Sequence, residues 1–231
     1  MEEFLNKRKS RLVAVSLLII LSVVVIFAGS RLYSQYREQV IRTEESQLLT
    51  MAGIVGNNLN SYMEQQLEEI DLFYSQEGMP ENVWAESGGI NARTAYFLKE
   101  NAGVYNWITV TEPDGTKFRY EPGKKTFRES ADGEVKAVDS QDGNHPAEIT
   151  GKEISDQTGW YELYIEKNIP VGSEVYMLTF AMDLGALYEK IVAPVKIGEA
   201  GYSSVKDQNM NIIMHHVKNQ IGLEAVDGRI E

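Results

Sequence analysis

Leu12 to Gly29 (LVAVSLLIILSVVVIFAG) is a run without a single charge, broken only by Ser16 and Ser22. At a rise of ~1.5 Å per residue it makes a helix of roughly 27 Å, enough to cross a hydrocarbon core with little tilt. A helix buried in a globular core would keep a polar stripe, so the run predicts a membrane span. Lys7, Arg8, Lys9 and Arg11 precede it, and Arg31 alone follows closely. That asymmetry predicts a cytoplasmic N-terminus with everything after residue 30 outside. A cleaved signal peptide is the rival, since Ala28-Gly29-Ser30 offers small residues near a cleavage point; the length of the run favours an uncleaved anchor.

The pattern then becomes amphipathic. Leu48, Ala52, Val55, Leu59, Tyr62, Gln66, Ile70 and Phe73 recur every three or four residues, which predicts a long helix from about Tyr33 to Ser75. Gly53, Gly56, Asn57 and Asn58 weaken it locally. Its stripe either packs on the chain's own domain or forms a seam of a weak homodimer through residues 33–75. Gly78-Met-Pro and Gly88-Gly89 punctuate a short segment around Trp84, and Ala92 to Glu100 reads as a short helix.

After Gly103 the period changes from helical to alternating. Tyr105 to Thr111 and Thr116 to Tyr120 predict a hairpin around Pro113-Asp-Gly. Residues 121–159 have the composition of loops with one or two short elements. Trp160 to Val171 and Glu174 to Met182 predict two strands across a Val-Gly-Ser turn. Leu184 to Val195 predicts a helix, and Gly201 to Lys206 with Asn211 to His216 a last hairpin. This order is α+β.

Composition narrows the function. The chain has no cysteine, so disulfides, thiolate metal sites and a cysteine nucleophile are excluded. Residues 32–231 hold 17 basic and 32 acidic side chains, a net charge of -15, which repels phosphate backbones and argues against nucleic acid as a partner. His215-His216 would point to opposite sides of a strand, and with His145 the only other histidine, no metal site is expected. Gly-x-Ser-x-Gly, phosphate-loop and His-Glu-x-x-His motifs are all missing, so no enzyme activity and no cofactor are expected.

Four groups of residues resemble the Cache sensor domains of bacterial transmembrane receptors. They are Pro113-Asp114-Gly115; Asp156-Gln-Thr158-Gly159 with Ile169-Pro170-Val171; Phe180-Ala-Met-Asp183-Leu184 leading into Leu187-Tyr188; and Ile197-Gly-Glu-Ala-Gly201-Tyr202 with Val205-Lys-Asp207 and Ile212-Ile-Met-His215. The resemblance spans roughly residues 35–222 and implies a PAS-like, double-lobed module with its ligand in the membrane-distal lobe. It departs from the amine-binding subgroup, because Arg-x-Trp is absent and Ile154 stands where a Tyr is usual. Met210 also replaces a Gly and His216 a Pro.

The implied organisation is a cytoplasmic N-terminus (1–11), a transmembrane helix (12–30), a long membrane-proximal helix (31–76), a PAS-like distal sensor lobe (77–190) and the beginning of a proximal lobe (191–231). Function follows as extracytoplasmic small-molecule sensing for a membrane receptor whose output domain is not in this sequence. The alternative is an anchored extracytoplasmic binding or assembly module without output. Aromatic residues of the strands, Trp107, Tyr120, Trp160 and Tyr164, either pack in the core or line a pocket. Asp183 either caps the following helix or meets a cationic ligand. Asp156 and Asp183 match family positions that meet an amine, so an amine or another small polar solute is the expected ligand.

Overall fold

The computed structural model describes residues 2–75, 89–124, 127–129, 145–196 and 201–225. The segment around Trp84, most of the stretch 125–144 and Ile197-Gly-Glu-Ala lie outside the described residues. The chain divides into two compact units, Met1–Gly53 and Ile54–Glu231. Helix α1, Glu2–Tyr74, begins in the first and ends in the second.

In the first unit the apolar run leaves its side chains uncovered by protein, from Leu17 at 62% exposure to Phe27 at 65%. Its most apolar window has a mean hydropathy of 2.1, and α1 is the one helix among the described residues long and apolar enough to cross a membrane. A surface this apolar matches lipid as its solvent.

In the second unit the amphipathic stripe finds its partner within the chain. Gln66, Ile70 and Tyr74 are buried, against a sheet of order β3-β2-β1-β6-β5-β4. Its strands are β1 Tyr105–Thr111, β2 Lys117–Tyr120, β3 Phe127–Glu129, β4 Glu148–Ile154, β5 Tyr161–Val171 and β6 Glu174–Asp183. Helix α2, Gly89–Glu100, packs on the same face. The register sets Tyr120, Ile108, Phe180 and Ile165 in one row across four strands, and these with Ile70, Tyr74 and Phe97 form the core. The Gln in the helical stripe is explained there: buried Gln66 accepts a hydrogen bond from the Tyr105 hydroxyl at 3.1 Å.

One cation sits in this apolar face. Lys167 of β5 is 4% exposed; its Nζ lies 2.8 Å from Asp71 of α1 and donates to the His145 carbonyl at 2.7 Å. Asp71 also accepts from the Ala147 amide at 2.8 Å. A buried charge is tolerated only when paired and hydrogen-bonded. The pair therefore ties helix, sheet and the approach to β4 at one point.

Beyond β6 the predicted helix is shorter and differently wound. It consists of an α-helical turn, α3 Leu184–Leu187, and a π-helical turn, Tyr188–Val192. A second apolar cluster joins Val55, Trp160, Leu187, Tyr188 and Val192 to Met214 and Ile221. Met214 belongs to the final hairpin, whose strands are β7 Val205–Lys206 and β8 Ile212–Met214. Asp207 organises its turn by accepting from the Asn209 and Asn211 amides, both at 2.9 Å, and it also pairs with Lys152 of β4. These bonds hold Met210 at φ 64°, the left-handed conformation that glycine favours. His215 is 1% exposed, and its Nδ1 accepts from the Val217 amide at 3.0 Å.

Asp71→Asn should leave Lys167 without its counter-charge and cost about 2–3 kcal/mol, on the low side for a buried pair because Asp71 keeps some solvent. Asp71→Asn with Lys167→Met should recover at least half of that loss in urea unfolding; strictly additive losses would contradict a coupled pair. A second prediction concerns pH. Burial holds His215 below its ordinary value of 6.5, so the unfolded chain binds the proton more readily. Its stabilisation is present above that unfolded value and is lost as pH falls below it. Between about pH 7.5 and 5.5 the melting temperature should drop more in the wild type than in His215→Gln; equal drops would count against this.

Candidate functional site

The sheet has a second face, turned away from the core, and alternation decides what lies there. On β5, the residues between the core positions are Glu162, Tyr164 and Glu166; on β6 they are Thr179, Ala181 and Asp183. Trp107 of β1 and Tyr164 of β5 both pair with Ala181 of β6. The two rings lean over this small central residue until their centroids are 5.6 Å apart, and Ala181 is completely covered. An adjacent row aligns Glu153, Glu162 and Asp183 across β4, β5 and β6.

Glu162 is the centre of this face. It is 6% exposed, accepts from the Asn106 side-chain amide at 2.8 Å, and accepts from the Trp107 indole at 3.1 Å. Neighbours on a strand normally point to opposite sides, yet Asn106 and Trp107 reach the same carboxylate. The register explains this: β1 carries a bulge against β6 between Tyr105 and Trp107, and a bulge re-aims the side chains beside it. No Lys, Arg or His among the described residues pairs with Glu162. The charge is held by neutral donors, which leaves it uncompensated at close range.

Around this centre, the Tyr164 hydroxyl donates to Glu153 at 3.1 Å, and burial followed by that carboxylate pushes the phenol up to about 12. Arg119 of β2 lies opposite Thr109, diagonal to Trp107, a spacing that long side chains span. Its guanidinium carbon sits 4.3 Å from the Trp107 ring centroid, and its Nε lies 3.1 Å from Glu121. Lys124 pairs with Glu121 as well. The Lys124 hydrogen bond, with the charges of both cations, holds Glu121 below the usual carboxylate range.

Of the six residues expected from sequence, the fold brings Trp107 and Tyr164 together on the outer face. Asp183 stands at the end of that face and caps α3, accepting from the Gly185 amide at 2.8 Å. Burial raises its pKa, partly offset by the amides of Gly185 and Ala186. It also borders a cavity of about 220 Å³ lined by Tyr62, Val104, Met182, Leu187 and Lys190. Tyr120 lies on the inner face and donates to Asn91 at 2.6 Å. Trp160 is buried against Tyr188, with centroids 5.2 Å apart, and Asp156 is exposed in the turn between β4 and β5. Sequence reasoning passed over Glu162, Asn106 and Glu153. The alternation Glu162-Leu-Tyr164 could have placed Glu162 beside Tyr164; the bulge has no such signal.

Neither a family model nor a curated protein matches this chain. Solved structures do share its fold. The domain of a sensory box/GGDEF family protein from Vibrio parahaemolyticus aligns with a TM-score of 0.54 at 14% identity, covering 78% of this chain and 74% of that one. The extracellular domain of a histidine kinase gives 0.52 at 14% identity, over 76% and 70% of the two chains. The ligand-binding domain of a Campylobacter jejuni chemoreceptor in complex with 4-methylisoleucine gives 0.52 at 13%, over 80% and 75%. The chain shares the fold of these solved domains, an α+β arrangement of a long helix on an antiparallel sheet, in keeping with the fold that the sequence motifs implied.

The position of Trp160 has a direct test. A Cβ built on Gly185 falls 2.7 Å from the Trp160 ring, so Gly185→Ala should destabilise by about 1–3 kcal/mol through overpacking. Adding Trp160→Leu should make the pair markedly non-additive in denaturant unfolding. Full additivity would mean that the ring does not press on this glycine.

Proposed function

We propose that this chain is the anchored, extracytoplasmic sensing part of a membrane receptor, and that its ligand is a small amine or a related cationic solute bound on the outer face of the sheet. The observation that carries this reading is Glu162: a buried carboxylate, bonded by two neutral side chains, beside the paired rings of Trp107 and Tyr164. Aromatic faces attract cations through their quadrupole, and a desolvated carboxylate adds Coulombic attraction. A core designed only for packing has no use for an uncompensated charge.

Three further features support the reading. The apolar run and the basic residues before it favour one membrane crossing with residues 31–231 outside. The structural neighbours named above include the extracellular domain of a histidine kinase and a chemoreceptor domain holding an amino-acid ligand. Asp183, in register with Glu162, adds a second carboxylate at the end of the same face. The amine expectation from sequence thus leans on Glu162 and Asp183, since Asp156 is exposed in a turn.

Thermal-shift measurement on the chain with amines, amino acids and simple carboxylates tests the proposal. Amines should raise the melting temperature. A charge-assisted hydrogen bond contributes roughly 1.5–3 kcal/mol, so Glu162→Gln should weaken the responding amine about ten-fold or more. A response to carboxylates alone, or one unchanged in both Glu162→Gln and Asp183→Asn, would overturn it.

A further inference from the structure

The outer face already holds a cation of its own. The Arg119 guanidinium lies over the Trp107 ring, 4.3 Å from its centroid, where a cation–π partner of a ligand would sit. Its side chain is 27% exposed, so it rests at the rim and is not locked in the core. Glu121, its ion-pair partner, is shared with Lys124. Withdrawal of Arg119 from Trp107 therefore leaves no carboxylate unneutralised. The same ring is fixed from its edge, because its indole N–H donates to Glu162 at 3.1 Å.

We propose that Arg119 is a built-in occupant of the cation position on Trp107, and that a cationic ligand binds by displacing it. This rests on the reading of the outer face as the ligand site and adds its regulation. In the free chain the Trp107 face is satisfied by Arg119, and the sheet has one arrangement. A ligand carrying an ammonium or guanidinium group takes that face beside Glu162, and the Arg119 guanidinium swings off the ring toward solvent while its contact with Glu121 is kept. The displaced arginine is then the moving part of the site. Affinity is reduced by the fraction of chains in which Arg119 holds the position, so removing the competitor tightens binding. Planarity matters, since a guanidinium stacks on an indole and an ammonium does not.

The experiment uses the full chain in detergent with ¹⁵N-labelled tryptophan. The Trp107 indole resonance is assigned by its loss in Trp107→Phe and followed during titration with methylguanidinium, tetramethylammonium or acetate. In Arg119→Gln the two cations should bind at least about five-fold more tightly than in the wild type, equivalent to about 1 kcal/mol. Arg119→Lys should fall between them, and acetate should shift the resonance in none. Equal or weaker cation binding in Arg119→Gln, with saturable binding retained in the wild type, overturns the displacement proposal and leaves the sensing site standing. Acetate binding that is lost in Arg119→Gln also overturns it, making Arg119 an anion anchor. Absence of saturable binding by either cation in all forms removes both the site and the displacement.

Discussion

The rest of this structure depends on the alternation of β5 and β6, two interior strands of the sheet that serve two faces at once. Ile165, Ile169, Leu178 and Phe180 go inward and are almost wholly buried; Glu162, Tyr164, Thr179 and Ala181 go outward. A slip of one residue would exchange the two sets, moving four large apolar groups to the outer face and carboxylates into the core. The long pairing, from Glu162 with Asp183 to Val171 with Glu174, makes such a slip costly. The glycine turn between the strands fixes where the pairing starts, since Gly172 takes φ 63° in a two-residue connection. Site geometry and core packing are therefore consequences of one register.

This also explains what could be read from the sequence. Runs with clean alternation or clean helical period were legible: β1, β2, β5 and β6, the long helix, and the turns at Pro113-Asp114-Gly115 and Val171-Gly172-Ser173. β4 falls in the stretch 121–159, whose composition allows one or two short elements without placing them, because an edge strand with an exposed pattern carries no apolar signature. Leu184 to Val195 had a helical composition, but nothing local distinguishes an α turn followed by a π turn from continuous helix. The final hairpin was placed correctly in order, and its strands are shorter than the pattern suggested. At the site, Trp107 and Tyr164 were visible as aromatic strand residues. Their meeting over Ala181 depends on cross-strand register, and the reach of Asn106 to Glu162 depends on a bulge. Neither exists in one dimension.

Lys167 shows the same limit from the other side. Read along the strand it breaks an apolar inward series, which argues against a core position. Only a partner distant in sequence, Asp71, makes the placement tolerable. Such a pair is weak evidence of stability, since an apolar replacement of both members could do as well. Its value is positional: β5 and α1 are held at one point by a directional contact, where dispersion alone would allow sliding.

That geometry bounds how a ligand on the outer face could be felt at the helix. β5 presents Glu162 and Tyr164 outward and Lys167 inward, and a strand transmits displacement along its length better than a loop does. Asp71, which takes the other end of the pair, lies in the last turn of α1, the helix that carries the apolar run. A ligand shifts such a system only by its difference in affinity between two arrangements, about 1.4 kcal/mol for each ten-fold change in their ratio. Ligand contacts that are the same in both arrangements, such as burial against Ala181, add affinity without signal. Contacts that require a side chain to leave, or a strand to move relative to Asp71, carry the difference. By that criterion the informative groups are those at the rim and on β5, more than the packing against Ala181.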